Sequence, residues 1–393
     1  MNRTSSDRTH PWSEEDLASL IGIKSVTYSV VEQKQDPEGV PMIGATEIVE
    51  GRVIDAEPTR IAWEQVERRP QAMLRAGDLL VVLVGRVGET AVATSRHQGW
   101  TFARSVAVIR FTEEGLAQGT DVWLRWWLKT PQSRRYLNVS STNSEHRTLP
   151  LGALRQLPVP VPPAEVRERW LHGVAMAERR LTLNKQIAAH AIELADALFR
   201  RAEHTDGRDA CAERQVGEIG RIVTGSASSV PQAGTEGTSF VAAKEVLNSR
   251  TVHLERTAVR TAVPIQAACP PGTLLVAPRP SGVRTVLATI PVVPGRGALA
   301  IRTDSETDQM WLLHALRSRY KELVATAQGQ NARAMRRKDF SRFPIPWPPV
   351  SVRQDFAERA AALHDLARSV TAENRSLEDL VVHDIAELMN RNR

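Results

Sequence analysis

The side chains of this sequence best suited to chemistry are basic and amide groups set among small polar residues. Arg86, Arg104, Asn143, Arg147 and Thr148 lie in the first half, and Arg279, Arg284, Gln330, Asn331, Arg333, Arg336 and Lys338 in the second. A guanidinium fork matches guanine O6 and N7 or clamps a phosphate, and an amide matches adenine. The run Gln328-Gly329-Gln330-Asn331-Ala332-Arg333 combines both chemistries, at the position that answers Asn143 to Arg147. Nucleic-acid contact is the functional reading of this set, and solvated loop arginine is the plain alternative for each member. Trp123, Arg125, Trp126 and Trp127 could stack on bases, but their helical spacing reads as core packing.

The instruments of an enzyme are missing. There is no Gly-Lys pair and hence no Walker loop, no His-Glu-x-x-His, and no Gly-x-Ser-x-Gly elbow. The Pro-Pro pairs are followed by Ala164, Gly272 and Val350, so the Asn/Asp-Pro-Pro-aromatic signature of adenine methyltransferases is absent too. One fragment has nuclease form: Asp16 with Glu32-Gln33-Lys34 offers carboxylates for Mg²⁺ and a lysine for the attacking water. The second half has no counterpart of it. Cys211 and Cys269 form neither a metal ribbon nor a disulfide framework, and the histidines show no ligand spacing, so surface or core histidine is the default for each.

Two proline runs announce the elements that must position the basic residues. Pro158-Val159-Pro160-Val161-Pro162-Pro163 precedes one unbroken helical pattern, and Pro344-Ile345-Pro346-Trp347-Pro348-Pro349 precedes another. Proline lacks an N–H and fixes φ, so both runs are extended connectors. In the first helix Trp170, Val174, Ala177, Leu181, Asn184, Ala188, Ala191, Ala195 and Leu198 alternate at steps of four and three. In the second, Phe356, Ala360, Leu363, Ala367, Val370, Asn374, Leu377, Val381, Asp384 and Leu388 do the same. This is the a/d seam of a coiled coil. At ~1.5 Å per residue each rod reaches about 50 Å, and its apolar stripe needs a partner, which the other rod supplies. Antiparallel pairing about the midpoints brings Asn184 near Asn374, where two amides could satisfy each other and fix register; a frayed or solvated edge is the plain alternative for both. Trp170, Leu181, Phe356 and Leu363 complete the residues expected to pair the helices or dock a partner subunit.

The globular parts repeat as well. Gly39, Ile43, Glu47 and Ile48 are answered by Gly237, Val241, Glu245 and Val246. Gly77 and Leu79-Leu80-Val81 are answered by Gly272 and Leu274-Leu275-Val276, Ile109-Arg110 by Ile301-Arg302, and Arg147 by Arg333. A unit of about 190 residues thus occurs twice, too long for a solenoid repeat. Strands precede helices in each copy, which gives an α+β class. The expected organisation is a first domain over 1–163, a first helix over 164–204, a second domain over 210–349 and a second helix over 350–391. The composition, 42% hydrophobic and 24% charged, excludes a disordered or fibrous chain, and the net charge of +6 permits a polyanion partner. With no signal-peptide core and no apolar run of membrane-spanning length, a cytoplasmic protein without a membrane partner is expected.

Taken in order, these pieces resemble the specificity (S) subunit of type I restriction-modification systems. The resemblance rests on Gly39-Val40-Pro41-Met42-Ile43, Gly77-Asp78-Leu79-Leu80, Arg147-Thr148-Leu149 running through Leu154-Arg155-Gln156-Leu157 into the first proline run, and Gly217-Glu218-Ile219 with Val223-Thr224-Gly225. It implies a non-catalytic subunit with two target-recognition domains, each reading half of a split site in double-stranded DNA. It implies two antiparallel helices forming a coiled-coil spacer that docks methyltransferase (M) subunits, two of them, with restriction (R) subunits joining the complex. S-adenosylmethionine, ATP and Mg²⁺ then belong to the partners, and this chain holds no cofactor. The sequence departs from the family where Arg167 and Arg353 replace the glutamine after the Pro-Pro run, and where Pro271-Gly272-Thr273 stands for Ala76-Gly77-Asp78. A duplicated scaffold of the same build that does not bind DNA is the alternative.

Overall fold

The continuous apolar runs become the buried strands of two central sheets. The computed structural model describes residues 12–29, 34–49, 51–53, 58–142, 147–206, 211–225, 231–232, 237–249, 251–257, 259–279, 282–328 and 335–390. It divides into two compact units, Met1–Arg180 with Arg375–Arg393, and Leu181–Asn374.

In the first unit the sheet consists of β1 (Ile23–Tyr28), β2 (Leu79–Val82), β3 (Thr90–Val92) and β4 (Val106–Phe111) in the order β1-β4-β2-β3, antiparallel throughout. Side chains alternate across a strand, so Leu80, Val82, Val106 and Val108 share one face and pack with Ile43, Ile48 and Phe102. Leu79, Val81, Ala107 and Ile109, on the other face, are equally buried. Burial on both faces is why β2 reads as an uninterrupted apolar run. Helix α1 (Thr120–Trp127) follows.

The second unit has β5 (Gly220–Thr224), β6 (His253–Leu254), β7 (Thr273–Arg279), β8 (Gly282–Ala288) and β9 (Leu299–Thr303), ordered β5-β9-β7-β8-β6. Its first four positions follow the strand order of the first unit, and β6 adds a short parallel edge beside β8. The departure at Thr273 changes one anchor of the sheet. In the first unit Arg110 grips the buried Asp78 at 2.8 and 2.6 Å. In the second, the Thr273 hydroxyl donates to Pro270 O and Arg302 donates to Pro271 O.

Both proline runs are extended, and each is tied into a two-stranded ribbon: Pro158–Val161 with Ser13–Asp16, and Pro344–Trp347 with Ala212–Gln215. Each run leads into a long helix, α2 (Ala164–Arg201), and, after α3 (Glu306–Ser318), α4 (Val350–Asn390). Both long helices cross the boundary between the units, so each unit owns a part of both. Within the second unit, Phe199 meets Phe356 at a centroid distance of 5.6 Å while Asn374 Nδ2 donates to Leu181 O at 3.2 Å. The two helices therefore run antiparallel there.

Within the second unit, Leu181, Asn184, Ala191 and Ala195 on α2 and Phe356, Ala360, Ala367, Val370 and Asn374 on α4, all expected on the seam, are buried. The seam shifts by one residue toward the ends. Phe199 is buried where Leu198 was expected, and Ile385 is buried where Asp384, exposed, was expected. A straight helix of 3.6 residues per turn drifts off a 3.5 repeat, so a step of four replaces a step of three. No helix of the described residues is long and apolar enough to cross a membrane.

Candidate functional site

The basic residues singled out in the first unit gather at one end of its sheet. Gly85, at φ +85°, turns the chain out of β2 toward Arg86. Three backbone bonds bring other loops to this turn: Leu83 N donates to Ser105 O, Gly85 N to Arg147 O, and Leu149 N to Leu83 O, each at 2.8 Å. Arg86, Arg104, Arg147 and Thr148 thus lie around the Leu83–Arg86 segment. Arg104 is exposed. Arg86 is exposed as well, yet its Nη2 donates to Ile48 O at 2.6 Å and Ala45 O at 3.2 Å, and Glu89 lies 3.4 Å from its Nη1. Arg147 donates to Asn138 O at 2.9 Å. These bonds use part of each guanidinium to brace neighbouring backbone, which loop position alone does not reveal.

The second unit repeats the junction. Met335 N donates to Pro278 O at 3.2 Å, so the segment carrying Arg336 and Lys338 meets the end of β7, where Arg279 and Arg284 sit on the β7–β8 hairpin. Arg336 and Lys338 are exposed, and Arg279 and Arg284 are half-buried. Asn143, Gln330, Asn331 and Arg333 lie outside the described residues, as does Glu32 of the nuclease-like fragment. Asp16 is exposed at the end of its ribbon, and among the described residues no group of three or more His, Cys, Asp or Glu is arranged to hold a metal.

The residues expected to pair the helices divide into two roles. Leu181 and Leu363 serve the seam of the second unit, Leu181 buried and Leu363 partly so. Trp170 and Phe356 also meet the helices that follow the sheets: Trp170 stands edge-on to Trp123 of α1 at 4.9 Å in the first unit, and Phe356 edge-on to Trp311 of α3 at 5.5 Å in the second. Both partner indoles donate to the proline runs, Trp123 to Pro160 O at 2.9 Å and Trp311 to Pro346 O at 3.0 Å. The two asparagines do not satisfy each other as expected. Asn374 donates to Leu181 O, and the fully buried amide of Asn184 has no partner among the described residues. The other departures find local uses. Arg167 donates to Gln118, while Arg353 pairs with Asp308 and lies 4.4 Å over the Trp347 ring.

Sequence reading missed three histidines, His253, His314 and His364, that are buried together in the second unit. The one hint is that His314 interrupts the apolar run Trp311 to Leu316 and His364 directly follows the seam residue Leu363.

No family model matches the chain. Among curated proteins it is similar to the specificity subunit of the type I restriction enzyme EcoBI from Escherichia coli, at 28% identity over 165 residues. The similarity is to type I specificity subunits. The match covers 42% of this chain and 34% of that protein, so it spans about a third of the relative's length. Solved structures with similarity include the type I S subunit from M. genitalium, at 12% identity and TM-score 0.44 over 96% of this chain and 97% of that one. The HsdS subunit from Thermoanaerobacter tengcongensis shares 17% identity at TM-score 0.36 over 98% and 97%. A chain from a structure concerned with complex assembly and conformational transition of the type I R-M system shares 19% at TM-score 0.41 over 95% and 97%. The curated relative is of the kind that the order of motifs resembles.

Proposed function

We propose that this chain is the non-catalytic DNA-specificity subunit of a type I restriction-modification complex. On this reading it comprises two duplicated target-recognition domains, over 1–163 and 210–349, joined by antiparallel helices that form a coiled-coil spacer. Each domain reads one half of a bipartite site in double-stranded DNA. The helix pair sets the unread gap and docks two M subunits, with R subunits completing the assembly, and S-adenosylmethionine, ATP and Mg²⁺ act on those partners.

One observation carries the reading. In both units the loop preceding the proline run returns to the end of the second antiparallel strand of an equally ordered sheet, Leu149 to Leu83 and Met335 to Pro278, and basic residues collect there. A doubled reading head of this kind suits two half-sites. A helix of 38 residues extends ~57 Å, enough to bridge half-sites one duplex turn apart, ~34 Å.

The test is co-expression with the methyltransferase encoded beside this chain, followed by mapping of modified bases in host DNA. A split motif bearing N6-methyladenine supports the reading and reveals both halves. Arg147→Ala and Arg333→Ala are each expected to weaken one half-site, by about 1–3 kcal/mol where the fork reads a base. Methylation that keeps its full specificity in both variants would reject those assignments. The alternative, a scaffold that does not bind DNA, draws on the carbonyl bonds of Arg86 and Arg147. It predicts function independent of salt, whereas phosphate contact makes binding fall steeply as salt rises.

A further inference from the structure

A continuous chain of polar groups, its three histidines buried, crosses the second unit. Arg317 grips Asp196 through Nε at 3.0 Å and Nη2 at 2.6 Å. Asp196 Oδ1 lies 2.6 Å from His314 Nδ1, His314 Nε2 lies 2.9 Å from His364 Nε2, and His364 Nδ1 lies 2.9 Å from His253 Nε2. His314, His364 and His253 are 0%, 3% and 7% exposed. Four elements contribute: α2 brings Asp196, α3 brings His314 and Arg317, α4 brings His364, and the edge strand β6 brings His253. Phe199 stacks on His314 and Phe356 stands edge-on to it, so the surroundings are apolar.

The anchor dictates where the protons sit. A carboxylate held by arginine only accepts, so His314 carries its hydrogen on Nδ1 and leaves Nε2 bare. His364 must then donate from Nε2 and accept at Nδ1, and His253 must donate from Nε2. One direction of donation runs through three neutral rings. The two nitrogens of His364 face different neighbours, so the rings form a line and not a cage around an ion.

The four charges facing this line balance in two opposite pairs. Asp196 is already balanced by Arg317, and Asp365 and Arg368 of α4 act on His253 with opposite signs. Burial alone would raise the Asp196 carboxyl, but its bonds to His314 and Arg317 hold it well below the usual carboxylate range. Burial pushes His253 down to about 4 and His364 down to about 2, and it lowers His314 in spite of the bond that His314 donates to Asp196.

We propose that this line is a proton-sensitive strap: it holds the sheet edge of the second unit to α3 and α4 while all three rings are neutral, and it releases that edge when acid protonates them. The sign follows from linkage. An opened or unfolded histidine titrates near 6.5, above these rings in the closed form, so the opened form binds more protons as pH falls below 6.5. Closure is complete above that pH and is lost progressively below it, from 6.5 toward 4 through His253 and on toward 2 through His364. The proposal stands apart from the DNA reading. If both hold, acid releases the second half-site before the first.

Hydrogen exchange read by mass spectrometry on the full chain, at pH 7.5, 6.5 and 5.5 with labelling times scaled for intrinsic exchange, tests it. Leu287 N donates to Val252 O and Thr289 N to Leu254 O, so these two amides report the edge directly. Their protection is expected to fall at least about tenfold between pH 7.5 and 5.5, the effect of a single such histidine, while β4 of the first unit keeps its protection. No loss, or an equal loss in both units, overturns the proposal. His364→Gln keeps a donor and an acceptor at the centre of the line but cannot titrate, so it is expected to recover about tenfold of the loss. An unchanged pH slope in that variant would also overturn it, and if the variant does not fold, the wild-type comparison decides.

Discussion

The two units fasten the helices that follow their sheets to the long helices by the same apolar device and by opposite polar ones. In each, an indole donates to a proline-run carbonyl and stands edge-on to an aromatic ring of a long helix: Trp123 with Pro160 and Trp170, Trp311 with Pro346 and Phe356. Beside this anchor the first unit uses fixed charges. Glu178 accepts from Trp126 Nε1 at 2.8 Å and Arg125 Nη2 at 2.7 Å, and Lys129 lies 3.6 Å from Glu378. The second unit has its histidine line there. The anchor holds each short helix to a long one, and the polar neighbours determine which solution conditions loosen the attachment.

Removing the shared anchor should give the largest effect and the same one on both sides. Trp311→Ala and Trp123→Ala each delete a buried indole, and each is expected to cost about 3–5 kcal/mol in its own unit. Denaturant unfolding followed by exchange in peptides from each unit would measure this, and a cost below about 1 kcal/mol on one side would break the comparison. Arg317→Met sharpens it. Both partners are partly exposed, so neutral-pH stability should fall by a discounted 1–3 kcal/mol, roughly. Asp196, no longer balanced, then favours a protonated His314, whose folded pKa rises. The unfolded form loses its advantage in proton binding, and the fall of second-unit stability between pH 6.5 and 5 should flatten. The smallest change is expected from Glu178→Gln. It keeps an acceptor for Trp126 and loses only a partly exposed ion pair with Arg125, so thermal unfolding should move by less than about 1 kcal/mol and the shift should vanish at high salt.

The long helices were legible because their information is local. Steps of four and three name the seam, proline names the entry, and errors arise where the helical period drifts, at Phe199, Ile385 and Met389. Strand runs such as Leu79–Val82 could be read, but their order could not, because β1 and β4 find each other across a long stretch of chain. The basic residues were legible as loop residues. Their convergence on Leu83 and Pro278 was not, nor was the bracing of backbone carbonyls by Arg86. Asn184 shows the limit of a pattern: its seam position was correct, and the partner inferred for it was wrong, because Asn374 reaches a backbone carbonyl instead. The histidine line was least legible, since its members are brought together only by the fold across separations of 50, 111 and 118 residues.

The boundary inside the long helices has a consequence for synthesis. The first unit includes Arg375–Arg393, which are translated only after the whole of Leu181–Asn374 has been made. At ~5–20 residues per second the ribosome needs on the order of 10–40 s for that stretch. During this interval the first sheet has emerged but lacks the α4 segment that completes its unit, so the N-terminal half waits, unfinished, for the C-terminal half to close it.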